Sequence, residues 1–134
     1  MLLVDDDLDS RAGYAEWLAA AGFTVEVAST GAEAVAMAAV HSPDAIIMDL
    51  QMPVMDGWEA TRQIRASHSG RPYILALTAH HASDANRAAA YDAGCDDLVG
   101  KPLGPDILVA IVAAALRFPT TGGGPSTPPV SDDP

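Results

Sequence analysis

The chain is 134 residues long, the length of one domain, and 49% of it is hydrophobic, enough for a core of its own. Its formal net charge is −11, from 18 acids against 7 bases, which argues against a nucleic-acid-binding surface and against an anionic membrane as partner. The single cysteine, Cys95, excludes an internal disulfide and reads as a buried, inert thiol.

The elements alternate along the chain. Met1 to Val4 is a short apolar run, read as the first strand. Leu8 to Ala21 has helical spacing, with Leu8, Ala12, Ala15, Leu18 and Ala19 on one side and Gly22 placed to end it. Phe23 to Val27 alternates like a half-buried strand. Thr30-x-x-Glu33 is a capping box opening a helix that runs to about Val40 or His41. Ala45 to Met48 is an unbroken apolar run, expected of a strand buried on both faces. Gly57 to about Ser67 is helical, Tyr73 to Leu77 is another buried strand, and Ser83 or Asp84 caps an alanine-rich helix ending near Ala93. Leu98 to Gly100 is a short strand, and Pro105 starts a last helix that ends near Phe118. Five strand–helix units predict an α/β fold, (βα)5, with a doubly wound parallel sheet. Pro119 to Pro134 is rich in Pro, Gly, Ser and Thr and reads as a disordered tail or linker stub. No apolar run approaches the ~18 residues of a membrane span, and there is no signal-peptide pattern. The expectation is a soluble, cytoplasmic protein.

Four apolar runs end in a residue able to handle phosphate or metal. Asp5, Asp6 and Asp7 follow the first run, Asp49 the third, Thr78 the fourth, and Lys101, the chain's single lysine, the fifth. In an open parallel sheet, ligands bind outside the carboxyl ends of the strands, so these residues should converge. Clustered carboxylates repel one another, and a divalent cation removes that penalty. Mg2+ suits a site of one or two carboxylates plus phosphate, with Mn2+ as a substitute. A carboxylate, a metal, a hydroxyl and a lysine together are what an aspartyl-phosphate needs.

These residues lie in four motifs. They are Leu-Leu-Val-Asp-Asp-Asp (2–7), Ile-Ile-Met-Asp-Leu-Gln-Met-Pro-Val-Met-Asp-Gly (46–57), Ala-Leu-Thr-Ala (76–79) and Gly-Cys-Asp-Asp-Leu-Val-Gly-Lys-Pro-Leu (94–103). In this order and spacing the chain resembles a response-regulator receiver domain of two-component signalling, over residues 1 to about 118. The stretch after Asp49, with Ala-Leu-Thr-Ala-His, is similar to receivers associated with hybrid histidine kinases. The resemblance implies a flavodoxin-like sheet in the order 2-1-3-4-5, the order of a chemotaxis receiver. It implies that Asp49 is the phosphoacceptor, and that Asp5, Asp6, Asp49 and the Gln51 backbone carbonyl hold the metal. Thr78 and Lys101 would contact the phosphoryl group, and the Lys101–Pro102 bond would be cis. Gln51 and His80 sit where the family tunes phosphate lifetime. The implied partner is a histidine kinase or phosphotransfer domain. A homodimer through the fourth helix, fifth strand and fifth helix is a further implied contact. The chain would not be an enzyme with a separate substrate. One departure stands out: Leu98 replaces the Tyr, Phe or His usual three residues before the lysine.

Other readings of the same residues have less behind them. Asp5, Asp7, Asp9 and Glu16 mimic a calcium-loop spacing, but Ser10 stands at the loop's glycine position and a strand precedes it. His80-His81 reads as an exposed pair, Asp96-Asp97 as a solvated loop pair, and Asp56 as a turn residue before Gly57. Trp17, Trp58 and Tyr73 read as packing residues. A phosphatase using an aspartyl intermediate would want a second acid two residues after Asp49, where Gln51 stands. A degenerate receiver serving as a phosphorylation-independent interaction module has Leu98 as its one supporting feature.

Overall fold

The computed structural model describes residues 1–67, 72–79 and 82–117. Its elements are β1 (Leu2–Val4), α1 (Leu8–Ala20), β2 (Glu26–Ala28), α2 (Gly31–His41), β3 (Ala45–Asp49), α3 (Gly57–Ser67), β4 (Tyr73–Thr78), α4 (Asp84–Ala93), β5 (Asp97–Gly100) and α5 (Pro105–Arg117). The strands run parallel in the order β2-β1-β3-β4-β5, as expected.

Helices cover both faces of the sheet. Ile46 and Met48 of β3, with Ile74 and Ala76 of β4, pack toward Ala34, Ala38, Ala60, Ile64 and Ala90 of α2, α3 and α4. The intervening residues Ile47, Leu75 and Leu77 pack toward Tyr14, Leu18, Leu108 and Val112 of α1 and α5. Both side-chain parities are therefore buried, so the strands read as continuous apolar runs. Each fully buried Leu or Ile contributes about 1.5–3 kcal/mol relative to exposure.

Polar residues set the helix starts. Asp7 caps α1 by accepting the Ser10 N–H at 2.8 Å, and Thr30 caps α2 by accepting the Glu33 N–H at 3.0 Å. Glu33 reaches back one residue beyond the cap, to the Ser29 N–H at 2.7 Å. Ser83 caps α4 through the Asn86 N–H, and Asp56 accepts the Glu59 N–H at the start of α3. Asp56 is thus a helix-capping residue as well as the partner of Gly57 in the turn.

Three local expectations change. The strand expected over Phe23–Val27 forms at Glu26–Ala28. The Phe23 N–H still donates to the Leu18 carbonyl, closing α1, and the three residues of β1 offer pairing from Glu26 onward. On α1 the inward side carries Tyr14 and Leu18, whereas Leu8 is 66% exposed and Ala12 and Ala19 also face solvent. The larger aromatic ring gains more by burial than the alanines do. Asp96 is no solvated loop residue, because its carboxylate accepts from Arg65 and from the Ile74 N–H, each at 2.8 Å. His68, His80, His81 and the segment 119–134 lie outside the described residues. Among the described residues no helix is long and apolar enough to cross a membrane.

Candidate functional site

Register brings the polar strand ends together. Val4 pairs with Met48, and Asp49 with Leu77, so Asp5 and Asp49 stand side by side one step past the paired apolar residues. Thr78 lies level with Gly100, and the Lys101 N–H donates to the Thr78 carbonyl at 2.8 Å. One oxygen from each of Asp5, Asp6 and Asp49 falls within 4.8 Å of the others. The Lys101 ammonium is 3.2 Å from Asp5 and 4.0 Å from Asp49. Asp5, Asp49 and Thr78 are buried, and Asp6 is exposed at the rim. The Lys101–Pro102 peptide is cis.

Backbone shape carries Asp49 to this position. The Gly57 N–H donates to the Leu50 carbonyl at 3.1 Å, drawing the first turn of α3 against the end of β3. A Cβ at residue 57 would collide with the Asp49 carbonyl oxygen and sit 2.8 Å from the Leu50 Cα. The approach therefore requires glycine. Asp49 Oδ1 accepts the Gln51 N–H at 3.2 Å, and Asp5 Oδ1 accepts the Asp7 N–H at 2.9 Å, so both carboxylates are oriented by the chain that follows them.

The charges are poised. Burial pushes the Asp49 carboxyl up to about 7; Lys101 pulls it down, Asp5 pushes it further up, and the Gln51 N–H pulls it down. For Lys101, burial alone would lower the value, but the neighbouring Asp49 and Asp5 carboxylates outweigh it and hold the ammonium above its ordinary value. A site with three convergent carboxylate oxygens and one amine has more acid than it can neutralise. That donor set fits a hard divalent cation such as Mg2+, with Asp5, Asp6 and Asp49 able to hold it.

The sequence model of the response regulator receiver domain matches residues 1–113. The chain belongs to the response regulator receiver domain family. This receiver is 40% identical over 128 residues to the response regulator MprA of Mycobacterium sp. strain KMS, covering 96% of the chain and 55% of that protein. It spans about half the length of the curated relatives it matches. Among solved structures, the chemotaxis protein CheY4 of Vibrio cholerae superposes with a TM-score of 0.79 at 33% identity, over 84% of this chain and 94% of that one. The receiver domain of the sensor histidine kinase PA1611 of Pseudomonas aeruginosa, described with a magnesium ion coordinated in its active-site cleft, gives a TM-score of 0.76 at 37% identity, over 84% and 93%. Similarity therefore runs both to response regulators and to a receiver carried by a histidine kinase.

The receiver site also contains residues to which sequence reasoning gave no part. Arg11 donates to the Asp5 carbonyl at 2.9 Å, and the Tyr14 ring centroid lies 5.9 Å from the Lys101 ammonium. Their signal was positional: both follow the acidic strand end on the first turns of α1. The Gln51 side chain reaches β4, where its oxygen accepts from the Thr78 hydroxyl and the Ala79 N–H. Leu98, at the usual aromatic position, is fully buried, and its carbonyl accepts from Arg87 at 2.9 Å. Cys95 is buried near the Thr61 hydroxyl and its thiol is pushed up to about 11 by that burial, in keeping with an inert role.

Proposed function

We propose that this receiver is a phosphoacceptor switch in which Asp49 takes a phosphoryl group from a histidine kinase or a phosphotransfer domain. The supporting observation is the convergence, at the carboxyl ends of the strands, of Asp49, two further acids within 4.8 Å and the Lys101 ammonium 4.0 Å away. An ionised Asp49 oxygen attacks phosphorus in line; the P–N bond to the donor imidazole breaks, and that nitrogen keeps the electron pair. Lys101 pairs with one phosphoryl oxygen and the Thr78 hydroxyl donates to another. Mg2+ or Mn2+, held by Asp5, Asp6, Asp49 and the Gln51 backbone carbonyl, supplies charge neutralisation at the transferring group when bound. Attack of water on the acyl phosphate restores Asp49. On this reading the chain catalyses its own phosphorylation and dephosphorylation and turns over no separate substrate.

Phosphorylation biases a pre-existing equilibrium of the α4–β5–α5 face, where a homodimer could form. The receiver unit is assigned to residues 1–118, with 119–134 as a tail or linker on the strength of its Pro, Gly and Ser content. A cytoplasmic place is part of this reading. The charge of −11 disfavours nucleic acid or membrane as a partner of this part of the protein, and carries no weight for a longer chain.

Leu98 favours a second reading, the interaction module independent of phosphorylation. Intact-protein mass after incubation with acetyl phosphate and Mg2+, run beside Asp49→Asn, separates the two. A single phosphoryl adduct on the wild type and none on the variant is the expected result. Folded wild-type protein that gains no phosphoryl group from acetyl phosphate or from a cognate kinase would sink the switch and leave the module.

A further inference from the structure

We propose that the Gln51 side chain is an internal occupant of the phosphoryl site, a latch on the turn after β4 that a phosphoryl oxygen on Asp49 must displace. The inference rests on Asp49 as phosphoacceptor and adds how uptake of the group is coupled to movement. Gln51 Oε1 accepts from the Ala79 N–H at 2.8 Å and from the Thr78 hydroxyl at 3.2 Å. A backbone N–H can only donate, so the amide oxygen and not the amide nitrogen faces it. Gln51 is held at its other end too, because its own N–H donates to Asp49 at 3.2 Å. The residue thus ties the carboxylate of β3 to the end of β4.

Thr78 and Ala79 follow Leu77, the residue paired with Asp49, so their donors border the space a group on Asp49 would enter. A phosphoryl group brings strongly accepting, charged oxygens, and hydrogen bonds to a charged acceptor are about twice as strong as neutral ones. The Thr78 hydroxyl and the Ala79 N–H each carry one proton to give. A phosphoryl oxygen that takes them displaces the Gln51 oxygen. Release then unties Ala79, just past the end of β4, from the loop after β3. Leu98, a buried aliphatic side chain, has no ring to swing into the space and no polar tip to follow Thr78. In this receiver Gln51 supplies the element that changes partners, acting as a positioning residue through Thr78 and Ala79.

The test uses the full chain with beryllofluoride and Mg2+, a non-covalent mimic of the phosphoryl group on a carboxylate. The half-saturating fluoride concentration and the exchange rate of the Ala79 amide proton are followed by NMR in wild type, Gln51→Met and Gln51→Asn. Methionine keeps the bulk and removes the acceptor; asparagine keeps the amide but is one methylene too short to hold both donors. Both variants should saturate at about five- to a hundredfold lower concentration, since two hydrogen bonds no longer compete. Their Ala79 amide should exchange faster than wild type without fluoride and at the wild-type rate when saturated. Unchanged or weaker affinity in a folded variant, or an Ala79 exchange rate that ignores the substitution, overturns the latch while wild-type binding leaves the phosphoacceptor reading standing. Wild-type protein that binds no beryllofluoride overturns both.

Discussion

Asp49 should cost the protein stability for as long as its carboxylate is ionised and no metal is bound. Its folded value is about 7 against an ordinary value of 3.8, so between those limits the folded state binds a proton that the unfolded chain has lost. Stability from this group is therefore fully present below about pH 4 and is lost as pH rises through about 7. A span of about 3 pH units at about 1.4 kcal/mol each sets a ceiling of about 4 kcal/mol. Relaxation and water entry at a site whose rim carries the exposed Asp6 reduce it, to about 1–3 kcal/mol. Asparagine keeps the shape and does not titrate. Urea denaturation with a chelator present should show Asp49→Asn more stable than wild type by about 1–3 kcal/mol at about pH 8, with the gap closing toward about pH 4. Mg2+ should stabilise the wild type at about pH 8 and narrow the gap, because a cation among Asp5, Asp6 and Asp49 removes the repulsion. A gap of the same size at both pH values, or a variant less stable than wild type at the higher one, would refute the burial argument.

The other predictions concern the backbone around the site. Gly57→Ala places a methyl group against the Asp49 carbonyl and the Leu50 Cα, so it should destabilise by about 1–3 kcal/mol and slow phosphoryl uptake from acetyl phosphate, read by denaturation and intact mass. Val54 has φ 68° and is fully exposed, and a β-branched residue there costs about 1–2 kcal/mol. Val54→Gly should raise stability by about 0.5–1 kcal/mol after the extra unfolded-state entropy of glycine is allowed for, seen as a higher Tm. Arg65 donates to the Gly94 carbonyl and to Asp96, each at 2.8 Å, and its side chain is 15% exposed. Arg65→Ala should cost about 1.5–3 kcal/mol, and a double-mutant cycle with Asp96→Ala should show coupling; independent effects would remove Asp96 from the account of how α3 is fastened to β4 and β5.

The architecture was legible because its code is redundant. Five strand–helix units, four of whose strands end in a polar residue, survive an error of a residue or two in any boundary. The convergence of the candidate site residues was legible for the same reason, since parallel register converts "after the strand" into "side by side", as Val4 with Met48 places Asp5 beside Asp49. What escaped depends on side-chain length and on partners distant in the chain. Asp96 looks like a loop acid until Arg65, 31 residues away, is folded against it. Phe23 looks like the start of a strand until its N–H is spent on Leu18. Tyr14 and Leu8 sit on one helix with similar local context, and burial of one and exposure of the other follow from what α1 packs against.

Leu98 shows how a departure from a family pattern gains meaning from its surroundings. As a sequence fact it removes an aromatic ring and leaves the route of the signal open. In the fold its side chain fills the core beneath α4, and its backbone is fastened to that helix: Arg87 donates to the Leu98 carbonyl at 2.9 Å and lies 3.4 Å from the Asp97 carboxylate. Just past the end of β4, the Ala79 N–H is held by Gln51. The helix is thus tied to the strand beside it by a side-chain-to-backbone bond and an ion pair, both from Arg87. Movement of α4 must break or carry these bonds, each worth about 0.5–1.5 kcal/mol net, and more where a charge takes part. If the proposed phosphoryl group on Asp49 acts through α4, its binding energy has to exceed costs of that size, and it does so without a ring turning in the core.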